Sequence, residues 1–217
     1  RKDLEIFSVT AVPNASGSAI SFYVKCPYAE DVLRKEVKRT LITALNIWHR
    51  RGFLWPFILL YSLIKCYIVR FPRGLIVEPS QSCTGTCAGC PLPDDPALLK
   101  PEQLENWLTA CPAKPVTIHF SGKHSDPLAS PLLKELTDTA IRNCSMVSIS
   151  TIGLGITTEY ANLPVDRWIF SLPAATEESW RIICGNNRFE ETLKAFNTVQ
   201  NTVKTMVEVV LTLWKPS

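Results

Sequence analysis

Hydrophobic and polar positions change period several times along the chain, and the changes divide it in two. Leu4 to Val12 and Ala19 to Cys26 are rich in β-branched and aromatic residues, with Pro13-Asn14-Ala15-Ser16-Gly17 as turn chemistry between them, so the first thirty residues read as a β-hairpin. From Glu30 to about Arg50 the period lengthens: Val32, Leu33, Val37, Leu41 and Leu45 recur three or four apart among charges, as on a helix. Gly52 to Phe71 is the most apolar stretch, running from Phe53-Leu54-Trp55 to Tyr67-Ile68-Val69. It contains Lys65 and Pro56, and its uninterrupted apolar length falls below the roughly 18–20 residues that spanning a bilayer needs. With Arg50, Arg51, Arg70 and Arg73 at its flanks, it suits a helix packed on the protein first, a helix lying on an anionic membrane surface second, and a spanning helix least.

After Pro72 the pattern alternates between strand and helix. Gly74 to Glu78, Val116 to Ser121, Met146 to Thr151, Val165 to Leu172 and Met206 to Leu213 read as strands. Pro101 to Ala110, Pro131 to Arg142 and Phe189 to Val203 read as helices, the first with proline in its opening turn. Such alternation predicts right-handed crossovers and an α/β fold with a parallel sheet or barrel. Two regions result: residues 1–72, a hairpin with a helical extension, and residues 73–217, the core.

Composition narrows the picture. Of 217 residues 46% are hydrophobic and 20% charged, which fits a core-forming globular chain. The net charge of +3, from 23 basic and 20 acidic residues, is too small to suggest nucleic acid, and no basic stripe with interleaved aromatics is present. The chain opens on Arg1 and stops at Ser217 straight after a strand-like run, as a fragment trimmed at both ends would. Nothing at its start resembles a cleavable signal peptide, so cytoplasmic is the expected location, with membrane association through 53–71 as the variant.

Three of the eight cysteines sit together in Ser82-Cys83-Thr84-Gly85-Thr86-Cys87-Ala88-Gly89-Cys90. A glycine-containing loop at a strand end lets such closely spaced sulfurs converge on one centre. Structural zinc prefers four ligands, usually with a second Cys or His pair elsewhere; His119 and His124 are near but form no such pair. An iron–sulfur cube held by three thiolates leaves one iron with open coordination. The position also fits, because ligands gather at the C-terminal ends of strands in parallel α/β folds. Cys26, Cys66, Cys111, Cys144 and Cys184 lie in or beside apolar elements, as small core residues do; Cys184, before Gly185 in a loop, is the one to watch.

Leu75-Ile76-Val77-Glu78-Pro79-Ser80-Gln81-Ser82-Cys83, running on to Cys87 and Cys90, resembles the C-x3-C-x2-C signature of the radical S-adenosylmethionine superfamily. The likeness runs over residues 73–217, about two thirds of the chain. It implies a partial (βα)6 TIM-like barrel, truncated near strand 5, in which Cys83, Cys87 and Cys90 hold a [4Fe–4S] cluster. The open iron would bind S-adenosyl-L-methionine. One electron, from a flavodoxin- or ferredoxin-type reductant, would then cleave it to methionine and a 5′-deoxyadenosyl radical that takes hydrogen from an unknown substrate.

The resemblance also implies cofactor contacts. Phe120-Ser121-Gly122-Lys123-His124-Ser125-Asp126-Pro127-Leu128 is similar to the family's Gly-Gly-Glu-Pro segment, which meets the methionyl amino group; this places Gly122 and Asp126 at the cofactor, with Ser125 for the usual glycine and Asp126 for the glutamate. Ser150-Thr151-Ile152-Gly153 stands where Thr-Asn-Gly is frequent and offers Thr151. Ser171, at the end of the fourth strand, resembles the serine that faces the cofactor's ribose or carboxylate. Arg181 is a further reach to that carboxylate, and Gly89 replaces an aromatic that packs on adenine. His119 reads as a hydrogen-bonded structural histidine or, on the lumen face, a substrate contact. Two other readings remain beside the radical enzyme: an iron–sulfur or zinc binding module without catalysis, and a membrane-associated interaction protein.

Overall fold

The computed structural model describes residues 45, 47–49, 51–85, 87, 90, 92–122, 125–202 and 206–211. The expected hairpin and nearly all of the 30–50 helix lie outside the described residues, as do Gly89 and His124.

The apolar stretch forms one helix, α1 (Trp55–Ile68), started by the fixed φ of Pro56 in its first turn. It is closed by Phe71 N–H donating to the Cys66 carbonyl at 2.9 Å. No helix among the described residues is long and apolar enough to cross a membrane. Five strands follow: β1 (Gly74–Val77), β2 (Thr117–Phe120), β3 (Met146–Thr151), β4 (Arg167–Leu172) and β5 (Met206–Leu211). They pair in chain order, every pair parallel, which is the first five strands of a βα barrel laid side by side. Connections run through α2 (Pro101–Ala110), α3 (Leu133–Asn143), the single turn α4 (Thr158–Ala161), and the pair α5 (Glu177–Cys184) and α6 (Phe189–Thr202).

Alternation along the strands assigns the two faces of the sheet. Ile118, Phe120, Val147, Ile149, Trp168 and Phe170 are all fully buried in the main core, which also takes Leu104 and Leu108 of α2, Leu133 and Leu136 of α3, and Val199 of α6. The other face carries the row Ile76, His119, Ser148 and Arg167 across neighbouring strands. His119 Nδ1 lies 2.8 Å from Ser148 Oγ, and Arg167 pairs with Glu208. His119 is thus on the face away from the helices and hydrogen-bonded there.

The connections hold elements that the pattern of the sequence did not predict, α4 and α5 among them. The run 176–188 contains a helix, α5, where no regular element was expected; Thr176 Oγ1 accepts from Ser179 N–H at its start and Gly185 (φ 67°) ends it. Pro127–Ala129 makes one turn of 3-10 helix with Asp126 as its cap.

Candidate functional site

The cysteine loop leaves the C-terminal end of β1 through a short antiparallel neck. Ser80 pairs with Leu98, Gln81 N–H donates to the Ala97 carbonyl at 2.9 Å, and Leu99 N–H to the Pro79 carbonyl at 3.0 Å. The neck fixes both stems of the loop, so its tip need carry no regular structure of its own. Three further ties hold it over the sheet. Asp126 N–H donates to the Ser82 carbonyl (3.0 Å), Thr84 Oγ1 to the Leu154 carbonyl (3.2 Å), and Arg188 Nη1 to the Thr84 carbonyl (3.2 Å). Arg188 is itself held by Glu191 at 2.6 and 2.7 Å, and Glu191 also accepts from Gly155 N–H at 3.3 Å. The loops after β1, β2 and β3 and the start of α6 therefore form one bonded unit.

Within it, Cys83, Cys87 and Cys90 are each half-buried. Gly85 N–H donates to Cys83 Sγ at 3.3 Å, an interaction that favours the thiolate. A Cβ on Gly85 would stand 3.5 Å from Cys83 Sγ and 3.6 Å from Cys87 Sγ, so the missing side chain leaves the space between the two sulfurs clear. Burial pushes the Cys83 thiol up to about 11, against the Gly85 N–H, with the charges of Asp126, Cys87 and Cys90 adding to the rise. Cys87 goes the other way, down to about 7, chiefly because the Cys184 thiol donates a hydrogen bond to it. Cys184 is correspondingly held as the protonated partner, its pKa raised.

Cys184 is fully buried at the end of α5, packed with Leu154, Ala174, Trp180 and Phe189 in a small core on which Cys87 rests. The sequence marked Cys184 as worth watching but gave no partner; the structure supplies one in Cys87. Arg188 and Glu191 were missed altogether. Their spacing at a helix start reads as a local ion pair, and nothing in it points to a loop 104 residues away.

The donor set suits the cluster that the sequence motif implies. Three soft sulfurs share one loop, and a glycine keeps the volume between two of them open. Among the described residues no three His, Cys, Asp or Glu side chains converge on a single-ion position. A cube does not require that convergence, since each thiolate sits on a different iron.

The remaining expected contacts fall at the same end of the sheet. Gly122 lies where the β2 loop folds back: a Cβ there would come within 2.7 Å of the Ser125 carbonyl oxygen. Ser125 Oγ donates to Glu78 Oε1 at 2.7 Å, joining this loop to the end of β1. Asp126 is buried, 3% exposed, and its carboxylate accepts from Leu128 N–H (2.9 Å), Ile152 N–H (2.9 Å) and Thr151 Oγ1 (2.8 Å). Burial raises its pKa, and those three donors oppose the rise. Thr151 is buried too; its hydroxyl also accepts from Gly153 N–H at 2.8 Å. Ser171 is half-buried in β4 beside Val210, and Arg181 is exposed on α5.

No protein-family model matches the sequence, and no curated protein matches it. Solved structures do. SuiB of Streptococcus suis bound to the precursor peptide SuiA has a TM-score of 0.56 at 14% identity, over 72% of this chain and 37% of that one. SuiB bound to S-adenosylmethionine gives 0.55 at 15% identity, over 72% and 38%. Methylornithine synthase (PylB) gives 0.51 at 14% identity, over 63% and 43%. This chain has the fold of these neighbours. It spans less than half the length of each of them.

Proposed function

We propose that this chain is the core of a radical S-adenosylmethionine enzyme, with Cys83, Cys87 and Cys90 as the ligands of a [4Fe–4S] cluster. The observation that carries this reading is three half-buried thiols on one loop, at the C-terminal end of the first strand of a parallel βα sheet. When bound, the cluster supplies an open iron for S-adenosylmethionine and the electron that cleaves it, producing a 5′-deoxyadenosyl radical for hydrogen abstraction. The chain's own part is to place and shield. The neck at Ser80 and Leu98 fixes the loop stems, Cys83 receives the Gly85 N–H, and Cys87 receives the Cys184 thiol. Asp126 positions rather than touches in this reading: its carboxylate holds the ends of β2 and β3 together beneath Ser82. Gly122, Thr151 and Ser171 stand at the same rim for the cofactor. A flavodoxin- or ferredoxin-type protein would deliver the electron.

A second reading is favoured by one observation. Cys184 brings a fourth thiol to Cys87, and four thiolates would close a cluster or a zinc site against substrate. Its burial and its role as hydrogen-bond donor favour the open set of three. Anaerobic reconstitution of the chain and of Cys184→Ala separates the two. The first reading expects about four irons per chain in both proteins and 5′-deoxyadenosine on reduction. Iron lost with Cys184, or no deoxyadenosine from the loaded protein, supports the second.

A further inference from the structure

Helix α1 is apolar on both sides, and the described residues cover only one. Trp55, Ser62 and Cys66 are buried, Leu59 and Leu63 pack toward Ala113 and Val116, and Trp55 Nε1 donates to the Ser145 carbonyl at 3.0 Å. On the opposite side Phe57 (61%), Tyr61 (66%), Ile64 (49%) and Ile68 (69%) are exposed at helical spacing, and Phe53 and Leu54 extend the patch. Scattered exposed apolar residues are ordinary, but a contiguous stripe of this size marks a contact surface.

Charge indicates the kind of partner. No Asp or Glu occurs between Glu36 and Glu78. Arg51 is spent on Asp166 at 2.8 Å, while Arg70 and Arg73 are exposed at the C-terminal end of the stripe and half-buried Lys65 lies on its margin. Arg70 stands at φ 53°, a left-handed position where glycine is free of strain and arginine is not. A second copy of the chain would bring these like charges together across a two-fold axis with no acid on the helix to meet them. An anionic lipid surface meets them with opposite charge. At 14 residues the helix is about 21 Å long, short of the roughly 30 Å hydrocarbon core, so it would lie in the interface rather than cross it.

We propose that α1 docks the protein on an anionic bilayer, its outer face in the headgroup–acyl boundary. Topology then sets the orientation. The helix runs beneath the N-terminal ends of the strands, tied to Ser145 before β3 and leading through Arg73 into β1. The cysteine loop is at the other end of the sheet and faces away from the lipid.

Flotation of the full chain with vesicles of phosphatidylcholine, with and without phosphatidylglycerol, tests this. Binding is expected to the anionic vesicles, with less to the neutral ones and less again as salt rises. Phe57→Glu combined with Ile64→Glu changes only exposed positions and should weaken binding at least about tenfold. Arg70→Gly relieves the backbone while removing one charge, and should weaken it about fivefold with the fold intact. Circular dichroism and iron loading of the same samples, both expected unchanged, keep a folding or site defect distinct. No flotation of the parent chain, undiminished flotation of the double variant, or a parent dimer that the double variant dissolves would each overturn the proposal.

Discussion

The two ends of the sheet are closed by different physics. At the N-terminal end, α1 and Arg51 cover the strand starts, and half-buried Arg51 pairs there with buried Asp166, whose carboxylate also accepts from Val147 N–H at 2.8 Å. At the C-terminal end, Asp126 is just as buried, but its partners are two backbone amides and a hydroxyl, with no cation against it among the bonds described. A cation beneath the sheet meets one carboxylate; above it, among the bonds described, two amides and a hydroxyl meet the other, close to the cysteine loop. The difference teaches that the site end is tied by hydrogen bonds between loops, Arg188 on the Thr84 carbonyl among them, where the opposite end is tied by an ion pair.

Breaking the site end outright gives the largest effect. Cys87→Ser should lower iron retention after reconstitution from about four per chain to near none, because a hard hydroxyl replaces a soft thiolate. Full iron content in that variant would remove Cys87 from the site. Next come the two carboxylate knots. Arg51→Ala leaves Asp166 buried without its cation and should cost about 3–4 kcal/mol in urea unfolding. Asp126→Ala orphans the Ile152 and Leu128 amides and should cost about 2–3 kcal/mol, with the loss of order concentrated in the cysteine loop by hydrogen exchange. Equal exchange across both ends in the two variants would erase the contrast.

The smallest effect concerns His119. Burial first, then the Arg167 charge, lowers its pKa below the ordinary 6.5, so the folded chain holds it neutral. Its stabilising contribution is full above the unfolded value and is lost as pH falls through that value toward the depressed folded one. Unfolding curves of the parent and His119→Gln should therefore diverge at neutral pH and draw together in mild acid. Divergence that grows on acidification would reverse the sign.

The fold after residue 73 was legible because period-two and period-3.6 runs alternate there over several turns. Pro101–Ala110 and Met146–Thr151 match their expected bounds, the other expected elements up to Leu172 shift by one or two residues, and the expected ends of the last helix and strand, Val203 and Leu213, lie outside the described residues. The helix α5 escaped because it buries only Trp180 and Cys184, too few positions to set a period, although Thr176 and Gly185 mark its ends. At the site, the three loop cysteines were legible as spacing. The work of Asp126 was not: its partners Thr151 and Ile152 lie 25 and 26 residues on, and only the pairing of β2 beside β3 brings them within reach. The Cys87–Cys184 contact was hidden for the same reason, since tertiary packing leaves no periodic trace.

One measurement bears most directly on the central claim. The anaerobically reconstituted chain, reduced in the presence of S-adenosylmethionine, should yield 5′-deoxyadenosine and methionine in equal amounts, and the Cys83→Ser, Cys87→Ser and Cys90→Ser variants should yield neither. A fully iron-loaded protein that leaves S-adenosylmethionine intact under reduction would contradict it.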